Sequence, residues 1–107
     1  YKKLSGTYGR RRLPAGINET RVVVDNEASN QYTVVEIYST DSPGQLYRIT
    51  QTLADFGINI YRAYIATEVE QLIDVFYVLD DSGKKVEDDQ FIVELVEGLR
   101  YGIDGEV

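Results

Sequence analysis

The sequence predicts an α+β sandwich: a four-stranded antiparallel sheet with two helices packed on one of its faces. Three observations carry that reading. There are four runs rich in Val, Ile and Tyr, two amphipathic stretches that open on helix-start signals, and an element order of strand, strand, helix, strand, strand, helix.

Each element has its own local cause. Residues 21–25 are a short β-branched run, and a turn-rich stretch with Asn26, Ser29 and Asn30 separates them from a second strand at 32–38. Asp41-Ser42-Pro43-Gly44 then reads as a helix start, because Asp or Ser caps free amides and Pro lacks the amide hydrogen left unpaired in the first turn. Leu46, Ile49, Leu53 and Phe56 follow at spacings of three and four, one face of a helix that Gly57 stops. Residues 58–67 and 72–79 are two further strands, joined by an acidic turn around Glu68-Val69-Glu70. After the turn Asp81-Ser82-Gly83, Asp88-Asp89 caps a second helix with Phe91, Ile92, Leu95, Val96 and Leu99 inward and Gly102 near its end.

From Thr33 onward the order is β-α-β-β-α, a ferredoxin-like unit without its last strand. Too few residues follow the second helix to supply one. The early strand at 21–25, joined to 32–38 by a short connection, is expected to pair antiparallel beside it and fill the final strand's slot, a permuted arrangement.

Composition excludes several chemistries. The chain has no Cys and no His, so it offers no thiolate nucleophile, no disulfide framework and neither of the commonest general-base and metal-ligating side chains. We assign no catalytic residue, no metal site and no cofactor. Charge is divided: residues 1–21 hold six Lys or Arg and one acid, whereas the remainder holds five against seventeen. An acidic body repels phosphate backbones, which argues against nucleic acid. No run approaches the roughly 20 apolar residues of a membrane helix. The start lacks an apolar secretory run, so a cytoplasmic location and no membrane partner are expected. Without any Met, the chain reads as a fragment of a longer protein. Residues 1–20, with Gly6, Gly9, Gly16, Pro14 and Arg10-Arg11-Arg12, read as a basic flexible linker, and residues 21–104 as the domain.

The candidate site is the loop from Asp41 to Leu46. A strand end feeding a helix N-terminus presents free amides and a positive dipole end to a carboxylate, Gly44 permits close approach, and Asp41 can meet an ammonium group. The same residues serve equally as a simple helix cap. Strict alternation in 58–67 puts Asn59 with Ala63 and Ile65 on the helix side, where a polar amide needs a partner. Glu36, Arg62 and Asp74 alternate onto the open face with Tyr38 and Tyr64. Acids among those tyrosines do not suit an RNA-reading sheet, and cross-strand charge pairing explains them without catalysis.

Thr33-Val34-Val35-Glu36-Ile37, Asp41-Ser42-Pro43-Gly44-Gln45-Leu46, Gly57-Ile58-Asn59-Ile60, Ala63-Tyr64-Ile65-Ala66-Thr67 and Asp74-Val75-Phe76-Tyr77-Val78 together resemble the ACT domain family. Gly83-Lys84-Lys85 and the upstream Val24-Asp25-Asn26 make the chain most similar to the C-terminal ACT repeats of bacterial PII-protein uridylyltransferase/uridylyl-removing enzymes. The resemblance implies a regulatory module and not an enzyme. Its ligand would be an amino acid, glutamine in that enzyme family, as a signal of nitrogen status. Asp41, Ser42, Gly44, Gln45 and Leu46 would bind it, and Asn59 would reach a ligand held by a neighbouring ACT domain, in a homodimer or a tandem repeat. Nucleotidyltransferase and hydrolase domains of the parent chain would lie N-terminal and receive the signal. Family members commonly carry Arg where this chain has Ser42, so a cation for the ligand carboxylate is missing from the loop. A ligand-free ACT module for dimerisation or interdomain docking is the alternative.

Overall fold

The computed structural model describes residues 20–40, 44–68 and 71–105. Its elements follow the predicted order: β1 (Arg21–Asp25), β2 (Thr33–Ser39), α1 (Gln45–Asp55), β3 (Asn59–Glu68), β4 (Gln71–Leu79) and α2 (Asp89–Asp104). The strands run β1-β2-β4-β3 across one fully antiparallel sheet. β1 therefore lies beside β2, as expected, and β3 forms the opposite edge.

Both helices cover one face. Val35 and Ile37 of β2 and Phe76 and Val78 of β4 meet Ile49 and Leu53 of α1 and Leu95 and Leu99 of α2 in a single buried cluster. In α1 the buried stripe is Gln45, Ile49 and Leu53, each four residues on. Leu46, expected inward, is 45% exposed instead. One residue past Gln45 is a turn of about 100° around the axis, and that carries Leu46 off the buried stripe.

α2 begins as its sequence predicts, with the Asp88 carboxylate accepting from the Gln90 amide at 3.1 Å. It ends at Gly105, whose φ of 77° is readily adopted only by glycine and whose amide bonds the Tyr101 carbonyl at 2.8 Å. Gly102 has another use. A Cβ there would lie 2.8 Å from Thr52 Oγ1, and one on Gly98 would lie 2.8 Å from the Phe56 ring. Two glycines one turn apart thus let α2 lie closer to α1 than any side chain would allow.

Two strand phases differ from simple alternation. Asp74, expected on the open face, is 3% exposed and pairs with Ile37 and Ile65 on the helix side. Phe76 and Val78 set the phase of β4, and Asp74 shares their parity. In β3 the register shifts between Ile60 and Arg62, a bulge with Tyr61 as the extra residue. Ala63 and Ile65 keep the helix side, opposite Phe76 and Asp74. Asn59, upstream of the bulge, pairs with Leu79 and so takes the open-face parity of Tyr77. The expectation that it faces the helices is corrected on that ground.

A closed polar circuit ties the β1–β2 turn to the β4–α2 loop. Asn26 Nδ2 donates to the Val86 carbonyl at 2.8 Å, the Val86 amide to Thr33 Oγ1 at 2.8 Å, and Thr33 Oγ1 to Asn26 Oδ1 at 2.6 Å. Every donor in that ring has an acceptor, which removes the cost of burying it.

Overfilling the helix contact is a direct test. Gly98→Val is expected to lower stability by about 2–3 kcal/mol in urea titration, and Phe56→Leu in the same chain to recover part of that loss by vacating the ring's space.

Candidate functional site

The sheet has two ends, and the register assigns each candidate residue to one. Ser39 pairs with Leu72 at the end where β2 leads into α1, whereas Asn59 pairs with Leu79 at the other. Seven residue steps along β4, from Leu72 to Leu79, separate those pairs, about 23 Å of extended strand. Asp41 and Ser42, with Pro43, lie outside the described residues. Gly44, Gln45 and Leu46 come together at the start of α1. Within one chain Asn59 does not join them.

At the α1 end, Gly44 is exposed and flanks the helix at φ 74°, ψ 6°. Its carbonyl accepts the Arg48 amide at 3.1 Å. Gln45 is buried, and its Nε2 donates to Ser39 Oγ at 2.6 Å. Leu46 presents its side chain partly to solvent. Asn59, at the far end, is exposed at the first position of β3.

Sequence reasoning missed Arg48. Helical side chains lean toward the N-terminus, so a residue four positions on returns over the turn that starts the helix. Arg48 does so: Nη1 lies 3.2 Å from where a Cβ on Gly44 would stand, and Nε donates to the Gly102 carbonyl at 2.8 Å. A cation thus lies beside Gly44, reaching back from one turn into the helix. The i,i+4 spacing from Gly44 was the available signal. Next to it Thr20 Oγ1 donates to Asp104 Oδ1, joining the residue before β1 to the end of α2.

Two other regions have distinct chemistry. A depression of about 410 Å³ lies at the Asn59 end, bordered by Asp80, Asp81, Glu87 and Asp88 with Lys85 and Phe91. Its excess of acids disfavours a carboxylate ligand. Among the described residues no group of three or more His, Cys, Asp or Glu is arranged to hold a metal ion. On the open sheet face the Tyr38 hydroxyl donates to Glu36 Oε1 at 3.0 Å and the Arg21 guanidinium sits 4.1 Å over the Tyr38 ring. Burial, followed by the Glu36 contact, raises the Tyr38 pKa above its ordinary value.

A family model described as the ACR family N-terminal ACT domain matches residues 28–101, more than half of the chain. The chain belongs to the ACT domain family. It is 40% identical over 83 residues to the bifunctional uridylyltransferase/uridylyl-removing enzyme of Rhodospirillum rubrum, and 42% identical over 84 residues to that of Cereibacter sphaeroides. Each match covers 78% of this chain but 9% of the bacterial enzyme. It is also 38% identical over 81 residues to the ACT domain-containing protein ACR6 of Arabidopsis thaliana, covering 76% of this chain and 19% of that protein. No solved structure gives a significant match. The homology thus falls on a small ACT segment of much larger enzymes, which makes this domain a regulatory and not a catalytic unit. No described helix is long and apolar enough to cross a membrane. β1 lies outside the matched segment, yet it completes the sheet.

The Ser39–Gln45 bond anchors the start of α1 to β2. Ser39→Ala is expected to lower stability by about 1–2 kcal/mol, measured by chemical denaturation, because a buried amide loses one acceptor.

Proposed function

We propose that this chain is an amino-acid-sensing ACT domain, with glutamine as its ligand, in a cytoplasmic uridylyltransferase/uridylyl-removing enzyme. One observation carries the reading: the expected ligand residues lie at opposite ends of the sheet, and the strand between them is an uncovered edge. Among the described residues β3 pairs with β4 alone, and Ile65 on its helix side is 53% exposed. A second ACT domain adding its own β3 antiparallel, about a two-fold near Ala63, carries the partner's Asn59 to the end where Gly44 opens α1. Two half-sites become whole ones. The loop amides and Arg48 then meet the ligand carboxylate, Asp41 its ammonium group, and the neighbour's Asn59 its side chain. The partner is a second copy or a tandem repeat, and residues 1–20 are the basic tether leading to N-terminal nucleotidyltransferase and hydrolase domains. Similarity to the bacterial enzymes supports glutamine as the ligand.

A second reading, a ligand-free ACT module that pairs or docks, is favoured by Gln45. Its side chain is spent on Ser39 and is not turned toward a ligand.

Calorimetry and thermal denaturation of the chain with L-glutamine separate the two. A ligand of the native state raises the melting temperature. Asp41→Ala and Asn59→Ala are each expected to weaken glutamine binding at least tenfold. Ile65→Lys, which sets like charges along the paired edges, is expected to weaken self-association and glutamine binding together. A full panel of amino acids without a thermal shift decides for the ligand-free module.

A further inference from the structure

The sheet face turned away from the helices carries a charge pattern that complements itself. Register places Asp25 of β1 and Arg62 of β3 at the two ends of one row across the sheet, through Val34 and Tyr77, and Glu36 and Val75 side by side in the next row on that face, at the middle of their strands. Around them lie tyrosines that pack on one another. Tyr77 meets Tyr64 edge-on with centroids 5.8 Å apart and Tyr32 at 6.1 Å, and Tyr32 in turn meets Tyr61 at 5.4 Å. Tyr61 and Tyr64 remain 52% and 51% exposed. The bulge has turned Tyr61 and Arg62 to this same face.

We infer that this face docks against the same face of a second copy of the chain, about a two-fold axis parallel to the strands. Such an axis sets β1 over the partner's β3 and β2 over its β4. Asp25 then stands over the partner's Arg62, twice by symmetry, and Glu36 over the partner's Val75, with the Tyr38 hydroxyl already bonded to its carboxylate. The alternative in-plane axis, perpendicular to the strands through the central Glu36–Val75 row, would set Glu36 directly against the partner's Glu36, and facing like charges are repulsive. Charge thus selects one of the two arrangements. Arg62 is fully exposed and hydrogen-bonded to the Tyr64 hydroxyl at 3.1 Å, so it can meet a partner without leaving a buried site. Four strands about 4.8 Å apart give a footprint of about 400 Å² per copy, below the roughly 600–1,000 Å² per copy of a stable specific interface and in the range of weak, transient contacts. The association is therefore weak in the isolated chain. It uses a different surface from the β3 edge, so both contacts can form at once.

The chain has no native Cys, which permits a clean test. Val23→Cys and Tyr64→Cys, which the same axis sets over one another and which leave Asp25 and Arg62 in place, are made together and treated with a bismaleimide of about 8 Å reach, which with the two thiol side chains spans sheets packed about 10 Å apart. Within one chain the two positions are separated by three strand spacings, about 14 Å, beyond that reach. A covalent dimer from the double variant, and none from either single variant, is expected. In sedimentation, Arg62→Asp should weaken self-association at least tenfold and Asp25→Arg in the same chain should restore it, while Ile65→Lys leaves the face contact and the cross-link intact. Absence of the cross-link overturns the proposal, as does association that the charge swap fails to restore. Should Arg62→Asp not fold by circular dichroism, the cross-link decides alone. Loss of glutamine binding bears on the sensor reading only, so the two can fail separately.

Discussion

Where the two helices lie on the sheet governs the rest of this molecule. Gly98 and Gly102 sit one turn apart on α2, and the absence of side chains there brings α2 directly onto Phe56 and Thr52. The helical layer is narrow as a result. It covers β1, β2 and β4, where the buried cluster forms, and α1 only borders β3. Every residue of β3 is left exposed although the strand carries Ile60, Tyr61, Tyr64 and Ile65. A wider helix pair would bury that edge.

That packing also positions the polar groups near the α1 terminus. With α2 close, the Gly102 carbonyl comes within 2.8 Å of Arg48 Nε, and the guanidinium is held over the turn at Gly44. Two residues on, Asp104 accepts from Thr20, so the end of α2 is tied to the entrance of β1. A short chain of hydrogen bonds therefore links the helix start after β2 with the point where the N-terminal segment enters the sheet. At the opposite end Asn26, Thr33 and Val86 do comparable work, fixing the β1–β2 turn to the loop before α2. β1 is thus pinned at both ends, even though it lies outside the segment that matches the family model.

Periodicity and turn chemistry revealed the elements, their order and the neighbour of β1, because each depends on short-range signals. The failures have physical causes. A bulge inserts one residue without any apolar mark, so alternation misplaced Asn59 across it. In β4 Val75 and Tyr77 are as apolar as Phe76 and Val78, and nothing local says which pair faces the helices. Alternation puts Asp74 on the open face with Glu36 and Arg62, yet it shares the parity of the core residues and is buried. Leu46 was placed inward on hydrophobicity, whereas the buried position belongs to Gln45 because Ser39 offers it an acceptor. The sequence places Gly102 only near the end of the second helix, because its neighbour on α1 can be known only once the helices are packed.

The division of the candidate residues has a thermodynamic consequence on the proposed reading. The Ser39 end of the sheet, where β2 leads toward α1, and the Asn59 end stand about 23 Å apart along β4, too far for one amino acid to bridge within a chain. A ligand that needs both binds the paired state and not the single domain. Occupancy and pairing are then linked, and the linkage is reciprocal: ligand stabilises the pair by the factor by which the pair tightens ligand. A sensor of this kind requires no internal rearrangement of the fold. Its response resides in the free energy of bringing two exposed β3 edges together, which the narrow helical layer leaves available.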